Sequence, residues 1–188
     1  PEEMAAMQDS SAENHISLIS ATTHAYPQVR PFEYDRYRQR LAEANAYCRS
    51  KGLPILLVEG CEIRYSDRVP DLLTDRKLPT IGNSRYVLVE FPEDTTPERI
   101  ENASDRLYDA GFQPIVAHAE RCCCLVRSTR TALQLRDEFG LLYQMDCESF
   151  LQPRGLFERR FVRRMLEEQA IDLIATDAHD TQRRPINM

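Results

Sequence analysis

The sequence predicts an α/β fold built on a parallel sheet, and three observations support this prediction. Six short apolar runs rich in Ile, Val and Leu recur at regular intervals, as expected for strands that are buried on both faces. Polar stretches with helical patterning separate these runs, so strands and helices alternate along the chain. Gly52, Gly111 and Gly140 precede three of the runs, where the C-caps of helices would fall.

The elements follow one another in a simple order. The predicted strands are residues 16–21, 55–58, 86–89, 114–117, 141–145 and 171–175. The predicted helices between them are residues 32–51, 96–110, 129–139 and 157–170. No linker, repeat or low-complexity segment divides the chain, so we expect one domain over residues 1–188.

Composition excludes several classes of protein. The chain has 24 Lys and Arg against 30 Asp and Glu, and this net charge of −6 argues against a general binder of nucleic acid or acidic membranes. No apolar stretch approaches the ~20 residues of a membrane-spanning helix. The six cysteines form no C-x-x-C pair and follow no secretion leader, so we expect free thiols in the cytoplasm. The chain begins at Pro1 without an initiator Met, and we expect further residues to precede it.

Histidine and acidic side chains follow five of the six apolar runs. These residues are His24, Glu59 and Glu62, Glu90, His118, and Asp177 with His179. The carboxyl ends of parallel strands share one face of a sheet, where active sites of α/β proteins are found. We therefore expect these side chains to meet in space.

A mixed cluster of this kind is typical of hydrolytic Zn, Mn or Fe sites. Two such metals ~4 Å apart can hold a bridging hydroxide and stabilise both oxygens of a phosphoryl transfer. A single acid after a strand is more often a helix cap or a turn residue, but here the pattern recurs five times. Arg121 and Arg184 lie just beyond two of the strand ends, where they are either phosphate-binding residues or partners in surface salt bridges.

Several motifs, in chain order, together resemble one family. They are Thr23-His24, Glu62-Ile63-Arg64, Tyr86 to Pro92, Ile115 to Arg121, and Asp177-Ala178-His179 through Arg184-Pro185. The chain resembles the bacterial capsule and exopolysaccharide tyrosine phosphatases of the PHP (polymerase and histidinol phosphatase) superfamily. The resemblance implies a distorted (β/α)7 barrel of the TIM-like PHP type and up to three ions, often Mn2+, with Fe or Zn as alternatives. It also implies a substrate, the phosphotyrosine tail of a bacterial tyrosine kinase that regulates polysaccharide synthesis, and direct attack by metal-activated hydroxide.

The resemblance also implies a role for each candidate metal ligand. Glu62 is similar to the carboxylate that bridges two ions. Glu90 and His118 would complete the site of the first ion, and Asp177 would contribute to that of the second.

The remaining family positions fall on two histidines and two arginines. His24 and His179 resemble ligands of a third ion. Arg121 and Arg184 resemble the phosphate-binding arginines.

The chain departs from the family pattern at two places. Ala119 replaces the usual Pro, and no His-x-His pair of the kind that opens the family barrel occurs in the sequence. Residues 1–14 look like the helix that follows that first strand, so we expect a barrel that lacks the strand and holds fewer ions. Two alternatives remain open: a small-molecule phosphomonoesterase similar to histidinol phosphatase, and a catalytically impaired binding module of the same fold.

Overall fold

The computed structural model describes residues 2–182 and residue 186. Its six strands form one sheet in which neighbours are parallel and follow chain order. They are β1 (Leu18–Ala25), β2 (Leu56–Arg64), β3 (Tyr86–Glu90), β4 (Gln113–Val116), β5 (Leu142–Asp146) and β6 (Leu173–Ala175). The predicted α/β class and all six predicted strands are confirmed.

Helices connect the strands. They are α1 (Glu2–Glu13), α2 (Tyr34–Lys51), α3 (Val69–Thr74), α4 (Pro97–Asp109), α5 (Cys123–Arg127), α6 (Thr129–Phe139), α7 (Cys147–Leu151) and α8 (Leu156–Glu167). The four long helices and the N-terminal helix were predicted, whereas α3, α5 and α7 were not. These three have five or six residues each, too few to produce a helical hydrophobic period. None of the described helices combines the length and the apolar character needed to cross a membrane.

Glycines end two of the long helices, as predicted. Gly52 caps α2 at φ +67° and Gly140 caps α6 at φ +59°, both in the left-handed region that residues with a Cβ rarely enter. Gly111, at φ +87°, follows the end of α4. The chain can therefore reverse at each of these points and enter the next strand.

The main core lies between the sheet and the helices α4, α6 and α8. Each helix contributes buried apolar side chains, which pack with buried side chains of β3, β4 and β5. The fully buried members include Ile100, Leu107, Leu135, Phe161, Met165, Val89, Val116 and Tyr143. This packing fixes the position of each strand and therefore of the side chains at its end.

The sheet is curled and open. In a flat sheet of six strands the outer two would be ~24 Å apart, because neighbouring strands are spaced by ~4.8 Å. The rings of His24 in β1 and His179 beyond β6 are instead 5.1 Å apart. Among the described residues β1 and β6 share no strand pairing, and a cavity of about 480 Å³ lies between them. The resemblance implied seven strands, whereas the described residues form six.

Candidate metal centre

Strand register brings the predicted residues to one edge of the sheet. His24 in β1 is aligned with Glu62 in β2, and Arg64 in β2 is aligned with Glu90 at the end of β3. His118 lies two residues beyond the end of β4. The carboxyl ends of four neighbouring strands therefore present these groups side by side.

Glu62, Glu90 and His118 form the centre of the site. Nε2 of His118 is 3.2 Å from Oε1 of Glu62 and 3.8 Å from Oε1 of Glu90. One ligand atom from each of the three residues lies within 4.8 Å of the other two. His118 is only 4% exposed and Glu62 only 6%. Two carboxylates and an imidazole that converge in a largely buried place suit a cation, because buried carboxylate charge is costly without one.

The backbone of His118 is held in an uncommon conformation. Its φ of +32° lies in the left-handed region. Its N–H donates to Oε1 of Gln144 at 2.9 Å, and Nε2 of Gln144 donates to Oδ1 of Asp146 at 3.0 Å. Strained conformations of this kind persist where the surrounding structure holds them in place. Here the hydrogen bond to Gln144 holds the backbone of His118, whose ring contacts the carboxylates.

His24 extends the cluster towards β1. Its Nε2 is 3.6 Å from Oε1 of Glu62, the same oxygen that His118 contacts. The Glu62 carboxylate therefore lies between two imidazoles. The His24 ring also stacks on the ring of Tyr26, with centroids 5.8 Å apart and planes inclined by 9°.

A second group of charged residues surrounds Arg121. Its Nη2 donates to Oδ2 of Asp177 at 2.9 Å and also to Oδ2 of Asp146. Nδ1 of His179 is 2.7 Å from the carbonyl oxygen of Asp177 and 3.6 Å from its carboxylate. His24, Glu62, Asp177 and His179 line the same cavity between β1 and β6. The two groups therefore belong to one site.

Burial and nearby carboxylates shift two pKa values. Burial alone would lower the pKa of His118, but the hydrogen bond with Glu62 and the negative charges of Glu62 and Asp146 together outweigh burial and raise it. Burial raises the pKa of Glu120 to about 7, and the nearby Asp146 carboxylate adds to the rise. Negative charge thus contributes to both shifts, and a bound metal ion would neutralise it.

Sequence reasoning missed two carboxylates of this network. Asp146 ends β5 and is 5% exposed, and Glu120 is 4% exposed. Oε1 of Glu120 accepts hydrogen bonds from the backbone N–H of Asp146 at 3.2 Å and from Oγ of Ser149 at 3.0 Å. Asp146 follows the apolar run 141–145 as Glu90 follows 86–89. The pattern of an acidic residue after an apolar run, which identified five strand ends, could therefore have identified Asp146 at the sixth.

The predicted site residues are thus in two neighbouring groups, with two exceptions. His24, Glu62, Glu90 and His118 form the first group, and Arg121, Asp177 and His179 form the second. Glu59 instead accepts hydrogen bonds from Tyr34 and Arg38 of α2. Arg184 lies outside the described residues.

A curled parallel α/β sheet with carboxylates and imidazoles gathered at the carboxyl ends of its strands has the construction of a metal-dependent hydrolase. Comparison with known proteins then gives the family. A family model described as capsular polysaccharide synthesis, CpsB/CapC, matches residues 2–188. The chain belongs to the CpsB/CapC family.

Individual relatives support this membership. The tyrosine-protein phosphatase YwqE of Bacillus subtilis is 29% identical over 169 residues, which cover 90% of this chain and 66% of YwqE. A solved structure matches with a TM-score of 0.86. It belongs to a study of YwqE from Bacillus subtilis and CpsB from Streptococcus pneumoniae, which are described there as metal-dependent tyrosine phosphatases. That match has 27% identity and covers 97% of this chain and 73% of the other.

A more distant structure shares the fold alone. This candidate histidinol phosphatase from Listeria monocytogenes has a TM-score of 0.55 at 12% identity, over 95% of this chain and 89% of its own. The PHP-type fold implied by the sequence motifs is therefore confirmed.

Proposed function

We propose that the chain is a metal-dependent protein-tyrosine phosphatase that hydrolyses phosphotyrosine. The observation that carries the proposal is the buried cluster of Glu62, Glu90 and His118 at the strand ends of a CpsB/CapC family member. YwqE, which this chain resembles over most of its length, is a tyrosine-protein phosphatase. A bound metal ion would supply an activated water and neutralise charge on the phosphate.

The ligand roles are those that the family resemblance implies. Glu62 would bridge two ions, since it contacts His118 of one ion site and lines the same cavity as Asp177 of the other. Glu90 and His118 would complete one ion site, and Asp177 would contribute to another. His24 and His179, whose rings are 5.1 Å apart, would bind a third ion.

Arg121 and Arg184 would bind the phosphate group of the substrate. Arginine can contact two phosphate oxygens at once, which also orients the ester. Asp146 and Asp177 hold the guanidinium of Arg121 beside the cavity that Asp177 lines.

Three finer assignments complete the proposal. The metal would be Mn2+, with Fe or Zn as alternatives, since mixed carboxylate and imidazole ligands suit all three. The substrate would be the phosphotyrosine tail of a bacterial tyrosine kinase that regulates capsule or exopolysaccharide synthesis, in keeping with the family description. The reaction would take place in the cytoplasm.

Two histidine variants form a matched test. His118 and His15 both have positive φ, at +32° and +58°, and Asn tolerates that region well. We expect His118→Asn to lower Mn2+-dependent hydrolysis of a phosphotyrosine peptide by at least about 100-fold, because a metal ligand is lost. His15→Asn, at an exposed position outside the site, should retain full activity.

The choice of substrate separates the alternatives. A small-molecule phosphatase would prefer histidinol phosphate to the phosphotyrosine peptide. A binding module would hydrolyse neither after EDTA treatment and reloading with Mn2+. Equal activity of the two Asn variants would refute the assignment of the metal centre.

A further inference from the structure

A second cavity opens beside the metal centre. It has a volume of about 620 Å³ and lies between the loop that joins β1 to α2 and the helix α3. We call it the cationic cavity, because its lining includes four cations and no carboxylate. These cations are Arg30, Arg68, Arg76 and Lys77. In a chain with a net charge of −6, such a concentration of positive charge is unusual.

Most of this positive charge is not neutralised. Lys77 pairs with Asp75 at 2.8 Å. Within the described part of the chain, the side chains of Arg30, Arg68 and Arg76 form no ion pair, and all three are exposed. Arginines left in this state attract anions more strongly than arginines in salt bridges do.

The rest of the lining is aromatic and aliphatic. Tyr26, Phe32 and Tyr34 contribute from one side, and Leu72 and Leu78 from the other. A volume in the range of ~300–1,000 Å³ with apolar walls and a few charged groups is typical of ligand sites. The cavity could therefore hold side chains of a peptide as well as neutralise its charge.

The loop that forms one wall is fixed in place. Nε2 of Gln28 donates to the carbonyl oxygen of Tyr65 at 2.8 Å, which ties the loop to the chain just after β2. The backbone N–H groups of Val29 and Arg30 both donate to the carbonyl oxygen of Tyr26, at 2.9 and 3.1 Å. The cavity is thus a formed feature of the fold.

The cationic cavity adjoins the metal centre. A smaller pocket of about 260 Å³ is lined by His24 together with Tyr26, Arg30 and Phe32. The latter three also line the cationic cavity. Since His24 is 3.6 Å from Glu62 and stacks on Tyr26, its side chain links Glu62 to a residue that lines the cationic cavity.

We infer that the cationic cavity binds the acidic flank of a phosphotyrosine peptide while the phosphotyrosine itself occupies the metal centre. This inference rests on the proposed function and adds a substrate preference to it. Carboxylates or a second phosphate on the flanking residues would satisfy Arg30, Arg68 and Arg76. Positive charge beside an active site raises the rate at which an anionic substrate is captured, and the effect declines with salt.

A double charge reversal tests the inference. Arg68→Glu with Arg76→Asp leaves the metal centre untouched, and Asp tolerates the φ of +56° at position 76. We expect kcat/KM for a phosphotyrosine peptide flanked by glutamates to fall by roughly tenfold or more at low salt. A peptide with a second phosphotyrosine should lose at least as much, whereas a glutamine-flanked peptide and p-nitrophenyl phosphate, which place no charge in the cavity, should lose much less.

The matched control changes the net charge of the protein by the same amount at a different place on the surface. Arg159→Glu with Arg160→Glu alters two exposed arginines of α8, which lies away from the cavity. If this variant loses as much activity on the acidic peptides as the cavity variant, net charge is responsible and the inference is wrong. It is also wrong if the unaltered protein does not distinguish glutamate-flanked from glutamine-flanked peptides.

Binding measurements separate this inference from the proposed function. Fluorescence anisotropy of the labelled peptides in EDTA requires no turnover. If no substrate is hydrolysed with any metal, the proposed function fails. The inference about the cationic cavity is still supported in that case if the cavity variant, but not the control variant, binds the acidic peptide more weakly. If all variants bind the acidic peptide equally, the inference fails even when the enzyme is active.

Discussion

Glu62 is the carboxylate that two imidazoles of the candidate metal centre share. Its Oε1 atom is 3.2 Å from His118 and 3.6 Å from His24, and the residue is buried near the carboxyl end of β2. Glu90, by contrast, is 3.1 Å from Arg64 as well as 3.8 Å from His118. A metal ion would therefore compete with Arg64 for Glu90 but would face no arginine at Glu62 in the described part of the site.

Asp146 provides the first prediction at the scale of single residues. It contacts Arg121 and accepts a hydrogen bond from Gln144, so we expect it to position Arg121, the arginine proposed to bind phosphate. We expect Asp146→Asn to lower kcat/KM for phosphotyrosine peptides by roughly tenfold, because a misplaced donor stabilises the transition state less well. Metal content, measured by elemental analysis, should remain unchanged.

A surface aspartate gives the control for this prediction. Asp137→Asn alters an exposed residue of α6 and should leave both activity and metal content unchanged. If Asp146→Asn loses metal in proportion to activity, Asp146 is a ligand and not a positioning residue.

The candidate metal ligands were easier to predict from sequence than the residues that would orient them. His24, Glu62, Glu90 and His118 were predicted because His and Glu are conspicuous after apolar runs. Gln144 was missed because it lies inside an apolar run and acts through hydrogen bonds to the neighbouring strand end and to Asp146. Such contacts depend on strand register, which one sequence does not reveal.

At the scale of elements, two strands extend well beyond their apolar runs. β2 was predicted to end at Val58 but continues to Arg64, and β1 was predicted to end at Ala21 but continues to Ala25. Several of the extra residues are polar because they face the site or the helix α2. Glu59, for example, accepts a hydrogen bond from Tyr34 of α2 at 2.7 Å, while Glu62 faces the metal centre. A hydrophobic pattern cannot detect strand residues that carry function.

The two glycine caps give a prediction about helix ends. Gly52→Ala should destabilise the protein by about 1 kcal/mol, the cost of a left-handed residue with a Cβ, since no atom lies within 4 Å of the new methyl group. Gly140→Ala should cost more, because its Cβ would lie 3.1 Å from Oη of Tyr108, which donates to the carbonyl oxygen of Gly140. Urea denaturation of both variants measures the difference.

Removal of the Tyr108 hydroxyl tests the explanation. In the Tyr108→Phe background, the Gly140→Ala substitution should cost about as much as Gly52→Ala does. Equal costs of the two substitutions in the unaltered protein would show that the contact with Tyr108 is unimportant.

At the scale of the whole molecule, the candidate site joins the two edges of the sheet. His24 belongs to the first strand, and Asp177 and His179 follow the last, yet all three line one cavity. β6 is only three residues long and pairs with β5 alone, and two of its side chains, Leu173 and Ile174, are 40% and 48% exposed. Metal binding would connect this weakly held edge to β1. The hydrophobic pattern does not reveal the curl, because it results from the packing of all the described strands together; the resemblance to a PHP-type barrel did imply it.

Metal binding should therefore stabilise the fold as a whole and β6 in particular. At a Mn2+ concentration of about 100 times Kd, linkage predicts ~2.7 kcal/mol of added stability, or an increase in Tm of roughly 5–10 °C for a chain of this size. Hydrogen exchange should slow most at residues 173–179 when Mn2+ replaces EDTA, because local opening of that edge would then require loss of the ion. Glu62→Gln should abolish both effects, since it removes the charge of the central carboxylate. Uniform protection over the chain, or an undiminished effect of Mn2+ in Glu62→Gln, would show that the ion binds elsewhere and does not connect the edges of the sheet.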